Sequence, residues 1–131
     1  MNASSEDIKD MLLDESSIDL TFATNLFIGK EPPSPDNTVT IFDTWGMTPQ
    51  LTMDPGEAPY ERPSVQIRVR NREYLAGWNL INNIYTLLHG RAHETRNGAV
   101  YEVITSTSPM HLDWDDNRRA RFIINLNIQR R

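Results

Sequence analysis

Aspartates in the C-terminal third of the sequence are the side chains best suited by type to bind a metal ion, because hard cations prefer carboxylate oxygens. Asp113, Asp115 and His111 could bind the metal ion of a small metal-dependent enzyme, and Asp116 adds a further carboxylate. A calcium-binding loop of this kind needs a central glycine and a glutamate at its twelfth position, and arginines stand here instead. The spacing therefore favours a solvated turn, and we predict no metal site.

Two histidines have the spacing of zinc ligands on a helix. His89 and His93 are four residues apart, but Gly90 ends the predicted helix and no glutamate lies between them. The chain has no cysteine, which excludes a thiolate zinc site, a disulfide framework and a cysteine nucleophile. We interpret the two histidines as surface residues that follow a helix.

Signatures of other enzymes are equally weak. A nuclease-like site needs lysine beside acidic residues on adjacent strands, and Lys9 and Lys30 lie far from Glu102 in the sequence. The sequence contains neither a G-x-S-x-G nucleophile elbow nor the glycine-rich first turn of a nucleotide-binding fold. We predict no catalytic residues and no cofactor.

Charge is distributed unevenly along the chain of 131 residues, whose net charge is −5. Residues 1–61 hold 12 acidic residues against two lysines, which gives −10, and residues 62–131 hold six against eleven arginines, which gives +5. The arginines alternate with apolar residues instead of clustering with aromatic residues, so the pattern does not favour nucleic-acid binding. Opposite charges could instead pair within the fold or between copies of it.

Hydrophobic periodicity predicts one α+β domain over residues 1–131, with a mostly antiparallel sheet and its helices on one face. The most informative segment is residues 65–70, which alternate strictly between apolar and polar side chains. It precedes a predicted helix that carries Tyr74, Trp78, Ile81, Tyr85 and Leu88 at helical spacing. The three aromatic residues of this stripe are more often core than a binding wall. No stretch is long and apolar enough for a membrane helix, and no export signal is present, so we expect a soluble protein without membrane contact. The predicted order α-β-β-β-α-β-β comprises a helix at 6–14, strands at 20–28, 38–45 and 65–70, a helix at 73–88 and strands at 99–107 and 121–128, with a long loop at 46–63.

Three segments resemble a known family: FIGKEPPSPDN at 27–37, the strand-to-helix passage PSVQIRVRNREYLAGW at 63–78, and DDNRRARFIINLNI at 115–128. In these segments and in the order of its elements, the chain resembles the tail terminator and minor capsid proteins of long-tailed bacteriophages. None of the segments is a catalytic motif.

The resemblance implies a small structural subunit of the virion, located where the tail meets the neck and assembled in the host cytoplasm. Such a subunit would form a hexameric ring on the finished tail tube, stop tube growth and dock to a neck or head-completion protein. Genomic DNA would pass through the lumen without sequence-specific binding. A head-completion or stopper protein of the neck is the nearest alternative, and the metal-dependent enzyme is a more distant one.

Candidate interface residues follow from the loop and from the charges. Leu51, Met53 and Tyr60 are apolar groups that a monomer would leave wet, so we predict that the loop becomes ordered against a neighbouring subunit, the tube or the neck. The strand at 122–128 lacks proline and is prone to pairing, so we predict that it is central in the sheet or covered by another copy. Oppositely charged residues would also set the polarity of a ring, although pairing within each subunit has equal weight. The charged candidates are Arg68, Arg70, Arg118, Arg119 and Arg121 on the basic side, and Asp7, Asp10, Asp14 and Glu15 on the first helix.

Overall fold

The structure, a computed structural model, describes residues 2–50 and 60–131, and for residues 47–50 it describes the backbone alone. Within that part of the chain, two helices and seven strands form an α+β fold, as predicted. Every predicted element is present in the predicted order, and the structure adds two short strands. The elements are α1 (Ser4–Leu13), β1 (Leu26–Ile28), β2 (Thr38–Gln50), β3 (Tyr60–Asn71), α2 (Tyr74–Leu88), β4 (Ala92–Arg96), β5 (Ala99–Ser106), β6 (Met110–Trp114) and β7 (Ala120–Arg130).

The strands form one sheet in the order β1-β2-β3-β7-β5-β4, and β6 pairs with β7 beside β5. Neighbouring strands are antiparallel except for β1 and β2, which run parallel. β7 is central, because β3 pairs along one side of it while β5 and β6 share the other side. The prediction that residues 122–128 are either central or covered is therefore confirmed.

Both helices pack on the face of the sheet that carries the apolar side chains of β3. Val65, Ile67 and Val69 join the buried residues of both helices in one core cluster. This cluster contains Ile8, Met11 and Leu12 of α1 and Ile81, Ile84 and Leu88 of α2.

The buried face of α2 differs from the aromatic stripe in the sequence. Its buried residues are Gly77, Ile81, Ile84 and Leu88, so the predicted stripe is confirmed at Ile81 and Leu88. Its aromatic members are less buried, since Trp78 and Tyr85 are half-buried and Tyr74 is exposed. A Cβ atom at position 77 would stand 2.7 Å from the Phe122 ring, so glycine lets the helix approach the sheet closely. This close approach at Gly77 places the aromatic side chains at the flanks of the interface.

Two predicted boundaries shift for local reasons. α1 begins at Ser4, two residues before the predicted start. Ser5 donates to the carboxylate of Asp43 on β2 through its backbone N–H (3.1 Å) and its hydroxyl (2.6 Å), which holds this first turn against the sheet. The predicted strand at 20–28 is reduced to β1, because the Asn25 side chain accepts from the Thr21 N–H (2.6 Å) and donates to a nearby carbonyl. These bonds hold the preceding residues in a turn.

The two additional strands lie at the side of the sheet opposite β1. β4 forms a hairpin with β5 through Asn97 and Gly98, which both have positive φ (50° and 82°), as a tight two-residue turn requires. β6 precedes the predicted turn at Asp115 and Asp116 and pairs with the first part of β7.

The predicted loop at 46–63 is shorter in the structure, because residues 46–50 and 60–63 belong to β2 and β3. Gly46 permits this pairing, since a Cβ atom there would lie 2.5 Å from the carbonyl oxygen of Arg62. Register shifts beyond Thr44 absorb the irregularity that the proline-containing sequence introduces. Residues 51–59, which include Leu51 and Met53, lie outside the described residues.

Neither helix in the described part of the chain is long and apolar enough to cross a membrane.

Candidate functional site

Four arginines lie on the sheet face opposite the helices, and we call Arg68, Arg70, Arg119 and Arg121 the arginine face. Their positions follow from the alternation of β3 and β7, which sends apolar side chains to the helices. The Glu31 carboxylate forms ion pairs with three of them, at N–O distances of 3.2 Å to Arg68, 3.1 Å to Arg70 and 3.9 Å to Arg121. One carboxylate from the segment before β2 thus holds the centre of the arginine face.

Two arginines of this face are buried and bind backbone carbonyls. Arg70, which is 3% exposed, donates to the carbonyl oxygens of Pro35 (2.7 Å) and Asp36 (3.2 Å). Arg119, which is 5% exposed, donates to the carbonyl oxygen of Pro33 at 2.7 Å. Burial lowers the pKa of Arg70, and the nearby Arg119 charge adds to that effect. The pair fixes the proline-rich segment 31–37 against the sheet.

The aspartates that the sequence offered as metal ligands are bound to arginines. Asp113 receives two bonds of 2.6 Å from Arg121, and hydrogen bonding to that guanidinium lowers the pKa of the carboxyl. Asp115 accepts from the side chain of Arg119 (2.7 Å) and from the backbone N–H groups of Arg119 (2.9 Å) and Asn117 (3.0 Å). Burial acts to raise the pKa of Asp115, but these hydrogen bonds outweigh it and the pKa is lowered. Both carboxylates stabilise the β6–β7 turn as ions.

His111, the third candidate of the enzyme hypothesis, belongs to an aromatic cluster. Its ring lies 5.4 Å from Tyr74, 5.7 Å from Trp114 and 5.3 Å from Phe122. Among residues 2–50 and 60–131, no group of three His, Cys, Asp or Glu side chains is arranged to hold a metal ion. The described geometry therefore gives no support to the metal-dependent enzyme.

The arginine face borders an open groove of about 480 Å³. Its charged lining comprises five cationic side chains and three carboxylates, so positive charge is in excess. Such a groove can attract an oxyanion, and it holds no nucleophile paired with a base. The cationic lining residues are Lys30, Arg68, Arg70, Arg119 and Arg121, and the acidic ones are Glu31, Asp115 and Asp116.

Acidic residues of α1 also find partners within the chain. Asp7 is fully buried beside Tyr101 and Arg130, and Asp10 accepts a hydrogen bond from Asn97 at 3.2 Å. These acidic residues and most of the arginine face therefore form ion pairs or hydrogen bonds within one subunit, which was the alternative to pairing between copies. Two further pairs complete the set, Asp14 with Arg96 and Glu15 with Arg91.

Two of the remaining predicted interface residues are described. Tyr60 is half-buried in β3 with the Arg131 guanidinium 5.5 Å from its ring centre, and Arg118 is exposed at the β6–β7 turn with φ of 60°. A contact between copies, or with tube or neck, stays a prediction for every residue of the set.

Open sheet edges are the surfaces that sequence reasoning missed. β1 pairs with β2 only as far as Ile41, so residues 42–50 have no strand on their outer side within the described chain. Trp45 stands on this edge and is 98% exposed. A lone tryptophan near the end of a β-branched run was the available signal, because tryptophan is strongly enriched in binding hot spots.

A second open edge lies on the other side of the sheet. Within residues 2–50 and 60–131, β6 pairs with β7 alone, and its side chains Met110, Leu112 and Trp114 are exposed. Tyr74 and Leu75 at the start of α2 are also exposed, and the Tyr74 ring stacks 6.1 Å from Trp114. We call these five side chains the β6 patch.

Comparison with known proteins places this geometry in a family. Among curated proteins, none matches the sequence of the chain. Several chains of solved structures match this one, and one of them shares its fold with a TM-score of 0.58 and 11% identity over 98% of this chain and 91% of the other. A family model described as bacteriophage tail terminator protein matches residues 5–131. The match covers nearly the whole chain, which therefore belongs to the bacteriophage tail terminator family, a family of structural phage proteins.

Proposed function

We propose that this protein is the subunit of a ring that caps the tail tube, ends its growth and joins the tail to the neck. The observation that carries the proposal is the family match over residues 5–131, which spans every helix and strand apart from the first residue of α1. The proposal assigns no catalysis to the site, because the four arginines of the arginine face are held by Glu31, Asp113, Asp115 and backbone carbonyls as structural contacts. Its place is the virion, at the junction of tail and neck.

The sheet supports a ring. A closed ring needs two different surfaces on each subunit that fit each other, since identical surfaces would close a dimer. Residues 42–50 and β6 are different open edges on opposite sides of one sheet. Six copies, the number that the family resemblance implies, would surround a lumen for the genome.

The arginine face supports passage of DNA without tight binding. Its arginines are held by Glu31, Asp113, Asp115 and backbone carbonyls, so few of their donors remain for phosphates. Phe42 is the one aromatic residue in the described lining of the groove, and the Arg68 guanidinium lies 5.0 Å from its ring centre, so the groove offers no row of stacking residues for a single strand. In this proposal the ring has two protein neighbours, the tube protein on one of its faces and a neck or head-completion protein on the other.

The test uses phage that lacks the gene, together with the purified protein. Electron micrographs of the mutant lysate should show tubes of uncontrolled length and heads without tails. Purified protein added to growing tubes should stop elongation and leave a ring at one end. Tails of normal length that fail to join heads would overturn the proposal in favour of the head-completion protein, and normal virions would overturn both.

A further inference from the structure

We propose that residues 42–50 of one copy pair with β6 of the next copy, and that Trp45 packs on the β6 patch of that neighbour. The inference rests on the proposed ring and specifies its subunit contact. It would make the seven-stranded sheet of each copy continuous with the next sheet. Exposed strand edges are reactive surfaces, because their outward N–H and C=O groups lack partners and accept another strand readily.

Strand directions in the subunit fit this contact. β2 is antiparallel to β3, β3 to β7 and β7 to β6, so β6 runs opposite to β2. Copies repeated in the same orientation around an axis would therefore bring β2 of one beside an antiparallel β6 of the next. Antiparallel pairing needs no crossover and is the commoner geometry between strands.

The other strand at that side of the sheet fits less well. β4 is antiparallel to β5, and β5 to β7, so β4 runs in the same direction as β2 and would meet it in parallel. Its side chains are also mainly polar, and Glu94 is already held by Arg91 and Arg96. β6 is therefore the edge that suits residues 42–50.

Apolar surface strengthens the match. Trp45 is almost wholly exposed, and a tryptophan side chain can bury about 150 to 250 Å² in an interface. The β6 patch offers exposed apolar and aromatic groups next to an open edge, and two nearby carboxylates, Asp113 and Asp115, are paired with Arg121 and Arg119. Met110 lies on the sheet face of Arg68 and Trp114 on the helix face, so the β6 patch presents apolar groups on both sides of the open edge to an incoming strand.

The contact also sets a tilt. Thr44 pairs with Ser64 on β3, and Ser64 pairs with Asn127 near the end of β7. β6 pairs instead with the first residues of β7. The two open edges therefore lie toward opposite ends of the sheet along the strand direction. Neighbours must therefore be staggered along the strand direction. A staggered closed array inclines its strands to the ring axis, as in β-barrels.

Cysteine crosslinking tests the contact directly, because the natural chain has no cysteine. The variant carries Thr44→Cys and Leu112→Cys, one on each edge. Within one chain the two positions are separated by three strand spacings, which is more than about 14 Å and beyond the reach of a disulfide. Any disulfide must therefore join two copies. The oxidised variant on purified tails should run as a ladder up to the ring size, and each single variant should stay monomeric.

Outcomes separate this contact from the proposed function. Rings that cap tubes without any crosslink in the double variant would overturn the edge contact and leave the capping function standing. Crosslinked dimers of Thr44→Cys alone would show two identical edges meeting, which overturns the head-to-tail arrangement. Absence of both capping and rings would overturn the function together with the contact.

A second experiment measures how strongly Trp45 contributes to assembly on tubes. Trp45→Ala should weaken assembly on tubes at least about tenfold, as for a hot-spot residue, and should leave the monomer folded because the side chain is exposed. The matched control is Phe22→Ala, which removes a 46% exposed aromatic ring outside both edges and should change assembly less than about twofold. Unchanged crosslinking with lost capping would place Trp45 against the tube and overturn the proposal.

Discussion

The buried carboxylate of Asp7 should be the most sensitive charged group for folding. Asp7 is wholly buried on α1, where it accepts hydrogen bonds from the Tyr101 hydroxyl and from the Asn97 side chain (2.5 Å). Its Oδ2 lies 3.6 Å from Arg130, which also donates to the Tyr101 oxygen (3.1 Å) and to Glu61 (3.0 Å). The network ties the first helix to the central strand of the sheet.

Removing the Asp7 carboxylate leaves two buried groups with fewer partners. Breaking a buried ion pair costs about 3–5 kcal/mol, and Glu61 keeps part of the Arg130 interaction, so Asp7→Ala should lower the free energy of unfolding by about 3 kcal/mol. Asp7→Asn keeps the shape and one acceptor and should cost about 1–2 kcal/mol. Asp10→Ala is the control on the same helix, because its side chain is 37% exposed and its pairs contribute about 0.5 kcal/mol at most.

Urea unfolding followed by tryptophan fluorescence measures these differences at one protein concentration. With a slope of about 1.5 kcal/mol per molar urea, Asp7→Ala should move the midpoint down by about 2 M. Asp10→Ala should barely move it. Equal, small shifts for the two alanine variants would refute the argument that the buried network secures α1.

Three further predictions concern single positions. Gly77→Ala should destabilise by about 1–3 kcal/mol in thermal unfolding despite the better helix propensity of alanine, because its Cβ would meet the buried Phe122 ring at 2.7 Å; a stabilised variant would refute the close approach. Burial and the bond to Asp7 raise the pKa of Tyr101 well above 10, so the folded state retains a proton that the unfolded state loses above pH 10. Stability should therefore fall as the pH rises beyond 10, and Tyr101→Phe should flatten that decline in alkaline urea titrations. Arg119→Lys should cost about 1–2 kcal/mol, because an ammonium cannot reproduce the bonds to Asp115 and to Pro33; equal stability would show that charge alone suffices there.

Periodic segments were predictable, and edge strands were not. Residues 65–70 alternate strictly, and the structure places Val65, Ile67 and Val69 in the core, as expected. β4 was missed because its residues are mostly polar, as is usual at a sheet edge, and lack the alternation that identifies a strand. β6 does alternate, but it has only five residues and leads directly into the aspartates of the predicted turn, so the strand was not separated from that turn. The Asn97-Gly98 turn was a usable signal for β4.

Partners of the arginine face were beyond sequence reasoning for a geometric reason. The alternation of β3 correctly placed Arg68 and Arg70 on the polar side. Glu31 lies 37 residues before Arg68, and only the register of β2 on β3 and the path of the proline-rich segment bring them together. Charges that are segregated along the sequence are therefore interleaved in space, which composition alone cannot show.

The position of β7 governs when this protein can fold during its synthesis. Residues 120–130 supply the neighbour of β3, β5 and β6, and they leave the ribosome after all three. Until then β3 has β2 on one side and no strand on the other, and α2 lacks one of the two strands on which it mainly packs. A chain that ends early at a nonsense codon therefore gives no folded competitor, and only chains that include β7 can enter assembly. Distant pairing of this kind also slows folding, so chaperones should meet the chain before its partners do.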